Sequence, residues 1–235
     1  MQIEVFSDVV CPWCYIGKRR LEEALSTFPN ADQVEVTYRS FQLDPSTPQH
    51  TDHTLDGMLA TKYGRTLTEA RAMNQRVTGV AATVGLDFQL QKAHPANTFD
   101  AHRLLHFAAD HGRQSELKER LMRAYFTEGR RVGDHEELAD LAAEVGLDRR
   151  AAAEVLAGDA YTADVEADLA LARGFGASGV PFFVFDRKYG ISGAQETAVF
   201  TEVLDRAWAE SQPNPLLLAG DQGQACVDDS CAVDG

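Results

Sequence analysis

Cys11 and Cys14 stand two residues apart, with Pro12 and Trp13 between them, directly ahead of a helical pattern. A cysteine at the first turn of a helix meets unpaired backbone N–H groups and the positive end of the dipole. Both favour the thiolate, which is the nucleophile. Each pKa unit lost in this way corresponds to about 1.4 kcal/mol of preference for the charged form. Pro12 suits the first helical position, where no N–H is needed. The spacing sets Cys14 one turn further on, within reach of an adduct formed on Cys11. Cys11 is then expected as the exposed nucleophile and Cys14 as the sheltered resolving thiol. Two other uses of thiols stay open on spacing alone: a structural crosslink, or half of a zinc site. Zinc would need two more ligands, and Cys226 and Cys231 could supply them only by folding back. Their C-x4-C spacing is also looser than paired C-x2-C knuckles.

The surroundings of these thiols narrow the choice. A formal charge of −14 argues against a nucleic-acid partner and against an anionic membrane surface. No apolar run approaches the ~20 residues of a membrane span. The first residues alternate like a strand and lack a basic segment followed by an apolar one, so a cytoplasmic address is expected. Thiols are kept reduced there and stable crosslinks are uncommon, which favours a redox pair over a staple.

Elements that could position the pair follow from periodicity. Residues 2–6 and 34–41 alternate as strands, and Ile16, Leu21, Ala24, Leu25 and Phe28 repeat at helical spacing between them. This is a βαβ unit, which favours parallel pairing. From about residue 54 to 175 the pattern is helical. Asp134 reads as an N-cap with Glu137 reaching back, Asp148 as another N-cap, and Gly85, Gly112, Gly129, Gly146, Gly158 and Gly174 as helix ends. Strand chemistry returns over 180–185 and 188–192, then an amphipathic helix over 199–208. The expected organisation is an α/β domain over 1–50 and 177–211, interrupted by a helical domain over 51–176. A flexible tail over 212–235 carries Cys226 and Cys231.

Val180-Pro181 opens the later strand. Proline is at home at a strand's first residue, so an ordinary strand entry is one reading. The other is a cis peptide beside the thiols, leaving the Val180 backbone facing a bound thiol or peptide. The order βαβ, helical excursion, X-Pro, two strands and a helix is thioredoxin-like, and together with CxxC it favours the cis reading.

The stretches "SDVVCPWCYIGKRRLE" (7–22), "NTFDAHRLLHFA" (97–108), "SGVPFFVF" (178–185) and "ISGAQ" (191–195) resemble the DsbA-like thioredoxin family, in its FrnE-type branch, from residue 1 to about 210. The resemblance implies a thioredoxin-like fold with a large inserted all-helical domain. It also implies Cys11 as nucleophile, Cys14 as its partner, and Pro12, Trp13, Val180 and Pro181 as the wall of the site. The start of the helix at Asn97 would face the thioredoxin domain. On that basis Asn97 and Thr98 are candidate substrate contacts. Gly193, Ala194 and Gln195 could offer backbone N–H groups to a carboxylate such as that of glutathione. His102 and His106 are one turn apart, but no third metal ligand is evident.

The expected activity is thiol:disulfide oxidoreduction through a mixed disulfide on Cys11. Its partners would be protein or small-molecule thiols and disulfides. No metal or nucleotide cofactor is implied, and glutathione is a candidate co-substrate. The family also contains glutathione transferases and isomerases of 2-hydroxychromene-2-carboxylate. Those typically carry serine where Cys11 stands, so a glutathione-dependent isomerase or transferase acting on a small aromatic compound is the alternative. Cys226 and Cys231 form a candidate second redox pair, or two incidental thiols.

Overall fold

A computed structural model of the chain describes residues 1–49, 51 and 53–211. Cys226, Cys231 and the tail over 212–235 lie outside the described residues. The alternating segments form a four-stranded mixed sheet from β1 (Gln2–Ser7), β2 (Glu35–Ser40), β3 (Phe182–Phe185) and β4 (Tyr189–Ser192), in the order β2-β1-β3-β4. β1 and β2 are parallel, joined across the sheet by the helix α1 (Pro12–Thr27), with Gln2 opposite Glu35 and Ser7 opposite Ser40. β3 runs antiparallel to β1, Val5 facing Phe183, and β4 runs antiparallel to β3.

Strand alternation sorts the two faces. Ile3 and Val5 of β1, with Phe183, Phe185 and Ile191, face α1 and the last described helix, α9 (Thr197–Ser211). There Leu21, Ala24, Phe200 and Leu204 close a core in which Phe183 and Phe200 meet edge-on at 4.8 Å. Glu4 and Phe6 point to the opposite face.

Between β2 and β3 the chain is helical: α2 (Leu55–Tyr63), α3 (Leu67–Thr83), α4 (Phe99–Asp110), α5 (Gln114–Arg123), α6 (His135–Glu144), α7 (Arg149–Ala157) and α8 (Thr162–Gly174). α4 is the axis of this lobe: Ala101 to Leu105, Phe107 and Ala108 are all buried, as a helix covered on every side must be. α8 crosses the Phe6 face of the sheet, packing Ala172 and Phe175 against Phe6. The lobe and the CxxC end of α1 share one core, in which Cys11, Cys14, Tyr15 and Ile16 lie with Val77, Leu90, Leu104 and Phe126. Glu119 of α5 clamps the junction: it accepts from Tyr15 Oη at 2.5 Å, from Lys18 Nζ at 2.7 Å, and from Arg19.

α1 begins at Pro12 with Cys11 as its N-cap, as the place of the proline in the motif predicts. Other local expectations need correction. Asp134 caps α6 by accepting from Glu136 and Glu137 N–H, but Glu137 does not reach back; its carboxylate accepts from Arg130 Nε at 2.5 Å instead. The reciprocal capping box stands at Thr66 and Glu69 on α3. Gly85, Gly112, Gly129 and Gly146 take the positive φ expected past helix ends, whereas at the end of α8 that role falls to Gly176 rather than Gly174. The last helix is longer than the expected 199–208, running Thr197–Ser211, with Phe200, Leu204 and Ala207 as its buried stripe.

Candidate active site

Three segments remote in sequence meet at Cys11. The first is the turn after β1. Cys11 N–H donates to the Asp8 carbonyl at 3.3 Å, and the Cys11 carbonyl accepts from Cys14 N–H at 3.1 Å, so α1 starts on the nucleophile candidate. The second is the loop before β3, where the Val180–Pro181 peptide bond is cis. There Cys11 Sγ donates to the Val180 carbonyl at 3.6 Å. The third is the helical lobe, which supplies the opposite wall.

Both cysteines are free thiols, 3% and 2% exposed for Cys11 and Cys14. Cys11 is therefore not exposed on the outer surface, as the sequence suggested. It opens instead on a cavity of about 580 Å³, within the range of small-molecule sites. Its floor carries Cys11, Pro12 and Val180. Leu55, Met58, Val77, Val80, Tyr125 and Phe126 supply its apolar far wall, and Leu43, Asp44 and Thr47 part of its rim. Trp13, 44% exposed, and Tyr63 stand at the opening. Tyr125 and Phe126 reach the cavity from a π-helical turn, Ala124–Glu128, that follows α5 directly. Such turns shift side chains off the α-helical register. Gly129 ends the turn at φ 74°, where a Cβ would sit 2.8 Å from the Lys92 carbonyl oxygen, so glycine is required there.

Cys14 is not among the cavity-lining residues. Burial, then the adjacent Cys11 sulfur, push its thiol well above the ordinary range. Asp8 and His102 are buried beside it, with Asp8 Oδ1 3.4 Å from His102 Nε2. Burial works to raise Asp8, but His102, the Leu43 N–H at 2.8 Å and Lys118 hold its carboxyl below the usual range. Burial lowers His102 despite the carboxylate, which keeps the ring neutral at neutral pH. His106 turns elsewhere, to Ser40 Oγ at 3.0 Å and Asp168 Oδ2 at 3.1 Å, so the two histidines do not converge.

The remaining sequence-derived candidates divide. Thr98 lines the cavity. Asn97 does not, nor is it the N-cap of α4, which is Thr98. Asn97 joins the rim loop to the start of α4: its Nδ2 donates to Pro45 O and Thr47 O, both at 3.0 Å, and its Oδ1 accepts from Gln42 Nε2 at 3.1 Å and from the N–H of Phe99, the first residue of α4, at 2.9 Å. Gly193, Ala194, Gln195 and Pro181 are absent from the cavity lining. Gly193 N–H donates to Pro181 O at 2.8 Å, Gln195 N–H to Gly193 O at 3.0 Å, and Ala194 O accepts from Arg20 at 2.6 Å. This turn is therefore a brace for the Pro181 loop and not an open cradle for a carboxylate. Sequence reading passed over Asp8, Lys118, Tyr125 and Phe126. Asp8, three residues ahead of Cys11 in an otherwise apolar stretch, was the available signal. Lys118, amid the charges of 116–120, reads like any solvated helix face.

A CxxC helix start, a cis X-Pro loop beside it and a helical lobe closing the site define a thioredoxin-fold protein of the thiol-bearing kind. A family profile described as DSBA-like thioredoxin domain matches residues 2–205, and the chain belongs to that family. A crystal structure described as a probable DsbA oxidoreductase from Streptomyces coelicolor is 43% identical over the whole of both chains, with a TM-score of 0.87. The chain is also 32% identical to YwbO of Bacillus subtilis over 63% of its own length and 68% of that protein's. In fold it is similar to a 2-hydroxychromene-2-carboxylate isomerase (14% identity, 90% and 98% covered, TM-score 0.65). The cytosolic disulfide reductase DsbM of Pseudomonas aeruginosa, solved with GSH, is another such fold relative (18% identity, 89% and 100% covered, TM-score 0.62). Among the described residues no helix is long and apolar enough to cross a membrane.

Proposed function

We propose that the protein is a thiol:disulfide oxidoreductase whose substrates are small, largely apolar disulfides or thiols. The observation that carries this reading is the unequal placement of the two sulfurs: Cys11 on the cavity wall at a helix start, Cys14 one turn behind it and out of the cavity. In the reducing direction the Cys11 thiolate attacks one substrate sulfur and the other leaves as thiolate. Cys14 then attacks Cys11, forming the Cys11–Cys14 bond and releasing the second substrate sulfur, so that two electrons pass from the dithiol to the substrate. The oxidising direction is the reverse of these steps. A concave, half-open and mostly apolar cavity suits a compact substrate better than a folded protein surface, and Trp13 offers a flat apolar edge at its mouth. A DsbM structure holds GSH, and glutathione is proposed here as the thiol that restores the pair.

The same chamber supports a second reading, a glutathione-dependent isomerase or transferase of a small aromatic compound, in line with the fold it shares with the chromene isomerase. Cys14→Ser separates the two. Under the first reading this variant loses turnover with an aromatic disulfide and accumulates a mass-detectable adduct on Cys11. Retained glutathione-dependent turnover of an aromatic substrate, with no adduct, would overturn the oxidoreductase reading. Cys11→Ser should form no adduct at all.

A further inference from the structure

The sulfur chemistry at Cys11 is the same for any disulfide, so the choice among substrates falls to the rest of the cavity. Besides Cys11, three polar side chains on its lining are buried: Asp8, Thr98 and Tyr125, which are 1%, 3% and 2% exposed. Asp8 is engaged, its Oδ2 accepting from the Leu43 N–H at 2.8 Å and its Oδ1 lying 3.4 Å from His102 Nε2. The other two are held by everything except their hydroxyls. The Thr98 carbonyl accepts from the His102 N–H at 3.0 Å, but its side chain caps nothing at the start of α4. The Tyr125 ring meets Phe126 edge-on at 4.9 Å. Among the described residues neither hydroxyl has a hydrogen-bond partner, and neither is sealed from the cavity.

Such groups are uncommon in a folded interior. A buried hydroxyl normally has a partner, and a tyrosine is used in a core where its O–H can reach one. Phenylalanine and valine would fill the same two places without a polar atom. Burial pushes the Tyr125 phenol up, so it keeps its proton and remains a donor around neutral pH. Both residues belong to the helical lobe, across the cavity from the floor that carries Cys11, in walls that are otherwise largely apolar.

Resting on the redox reading above, we propose that Tyr125 and Thr98 are specificity-determining residues, whose hydroxyls bind an oxygen acceptor on the substrate. The substrate class is then a compact, mostly apolar thiol or disulfide that carries a carbonyl or carboxylate oxygen on the side turned away from its sulfur. Tyr125 donates to that oxygen and Thr98 donates to its second lone pair. A hydrocarbon disulfide of equal size fills the apolar walls but shuts both hydroxyls away unpaired. That penalty discriminates against it, as it does in any site built to bond a polar group of its ligand. Neither residue takes part in making or breaking a bond, and the exchange at Cys11 and Cys14 runs as described above.

The test is single-turnover reduction of two uncharged diaryl disulfides by the dithiol protein, one with para-carboxamide groups and one with para-methyl groups. The released thiol is measured by chromatography over a range of disulfide concentrations. In Tyr125→Phe the half-saturating concentration of the carboxamide should rise about tenfold, on the scale of one lost hydrogen bond, with its limiting rate kept. That of the methyl disulfide should stay as in wild type. Thr98→Val should act in the same direction. Since neither hydroxyl is bonded within the fold, both variants should match or exceed wild type in urea midpoint. An unchanged value for the carboxamide, an equal rise for both disulfides, or a lowered midpoint in both variants overturns the role of the two hydroxyls and leaves the redox reading intact. A wild-type protein that reduces neither disulfide overturns the redox reading itself.

Discussion

The sulfur of Cys11 and the carbonyl oxygen of Val180, 169 positions apart in the chain, stand 3.6 Å from one another. Nothing local holds them together. Their approach is fixed by α1 lying against the Pro181 loop and β3, and that contact closes on Gly17. A Cβ there would meet Phe183 Cζ at 3.0 Å, Pro181 Cγ at 3.1 Å and Ala194 Cβ at 3.5 Å. Gly17→Ala is thus expected to cost about 1–3 kcal/mol by overpacking, despite its better helix propensity. It should also slow Cys11 alkylation or exchange by displacing the loop. Urea unfolding with a kinetic assay on the same sample checks both effects, and a more stable variant would contradict the packing argument.

Asn97 should behave as a support for the cavity rim. Asn97→Ala removes three hydrogen bonds that tie residues 42–47 to the start of α4, and a fourth to the Phe99 N–H at that start, at a cost of about 1–3 kcal/mol. With the rim loosened, KM for an aromatic disulfide should rise while kcat holds. A fall in kcat alone would place Asn97 at the reacting sulfurs instead.

Trp13 is expected to affect recognition and not folding. Its half-open side chain means that Trp13→Ala should change stability by no more than about 0.5 kcal/mol. KM for an aromatic disulfide should rise by about tenfold, equivalent to about 1.4 kcal/mol, with little change for a small hydrophilic one. Equal losses for both substrates would argue against an apolar edge at the mouth.

Glu4 gives a pH signature. Burial in β1 works to raise it, but Arg187 and Arg39 hold its carboxyl below the ordinary value of 4.5, through contacts at 3.0 and 2.7 Å. A depressed folded-state pKa stabilises the fold above the unfolded value, and the contribution is lost as pH falls through the folded one. Glu4→Gln should therefore cost about 1–3 kcal/mol at neutral pH. The difference from wild type should shrink progressively in acid. A pH-independent difference in denaturation midpoint would show that the charge on Glu4 plays no part.

The order of strands and helices was legible because it is carried by periodicity: the alternation of residues 2–6, the helical repeat through Phe28, and the long helical stretch before Val180. The thiol pair was legible as four adjacent letters. What stayed hidden depends on burial that arises only after the lobe closes. Lys118 sits among Glu116, Glu119 and Arg120, a pattern that in isolation describes a solvated face, and only the packing of α5 against β1 and β2 turns it inward, onto Ser7 O and the Tyr38 ring. Asn97 stood out only as a substrate contact implied by the resemblance, because its loop partners at Pro45 and Thr47 lie some fifty residues earlier. The π turn that aims Tyr125 and Phe126 has no sequence punctuation before Gly129.

The far wall opposite the sulfurs is drawn entirely from residues 55 to 126, none of which belongs to the sheet domain. The sulfurs and that wall are thus written in separate stretches of the gene. The wall can be rewritten with the sulfurs kept, so chains sharing the segment from Ser7 to Gly17 letter for letter need not share a cavity.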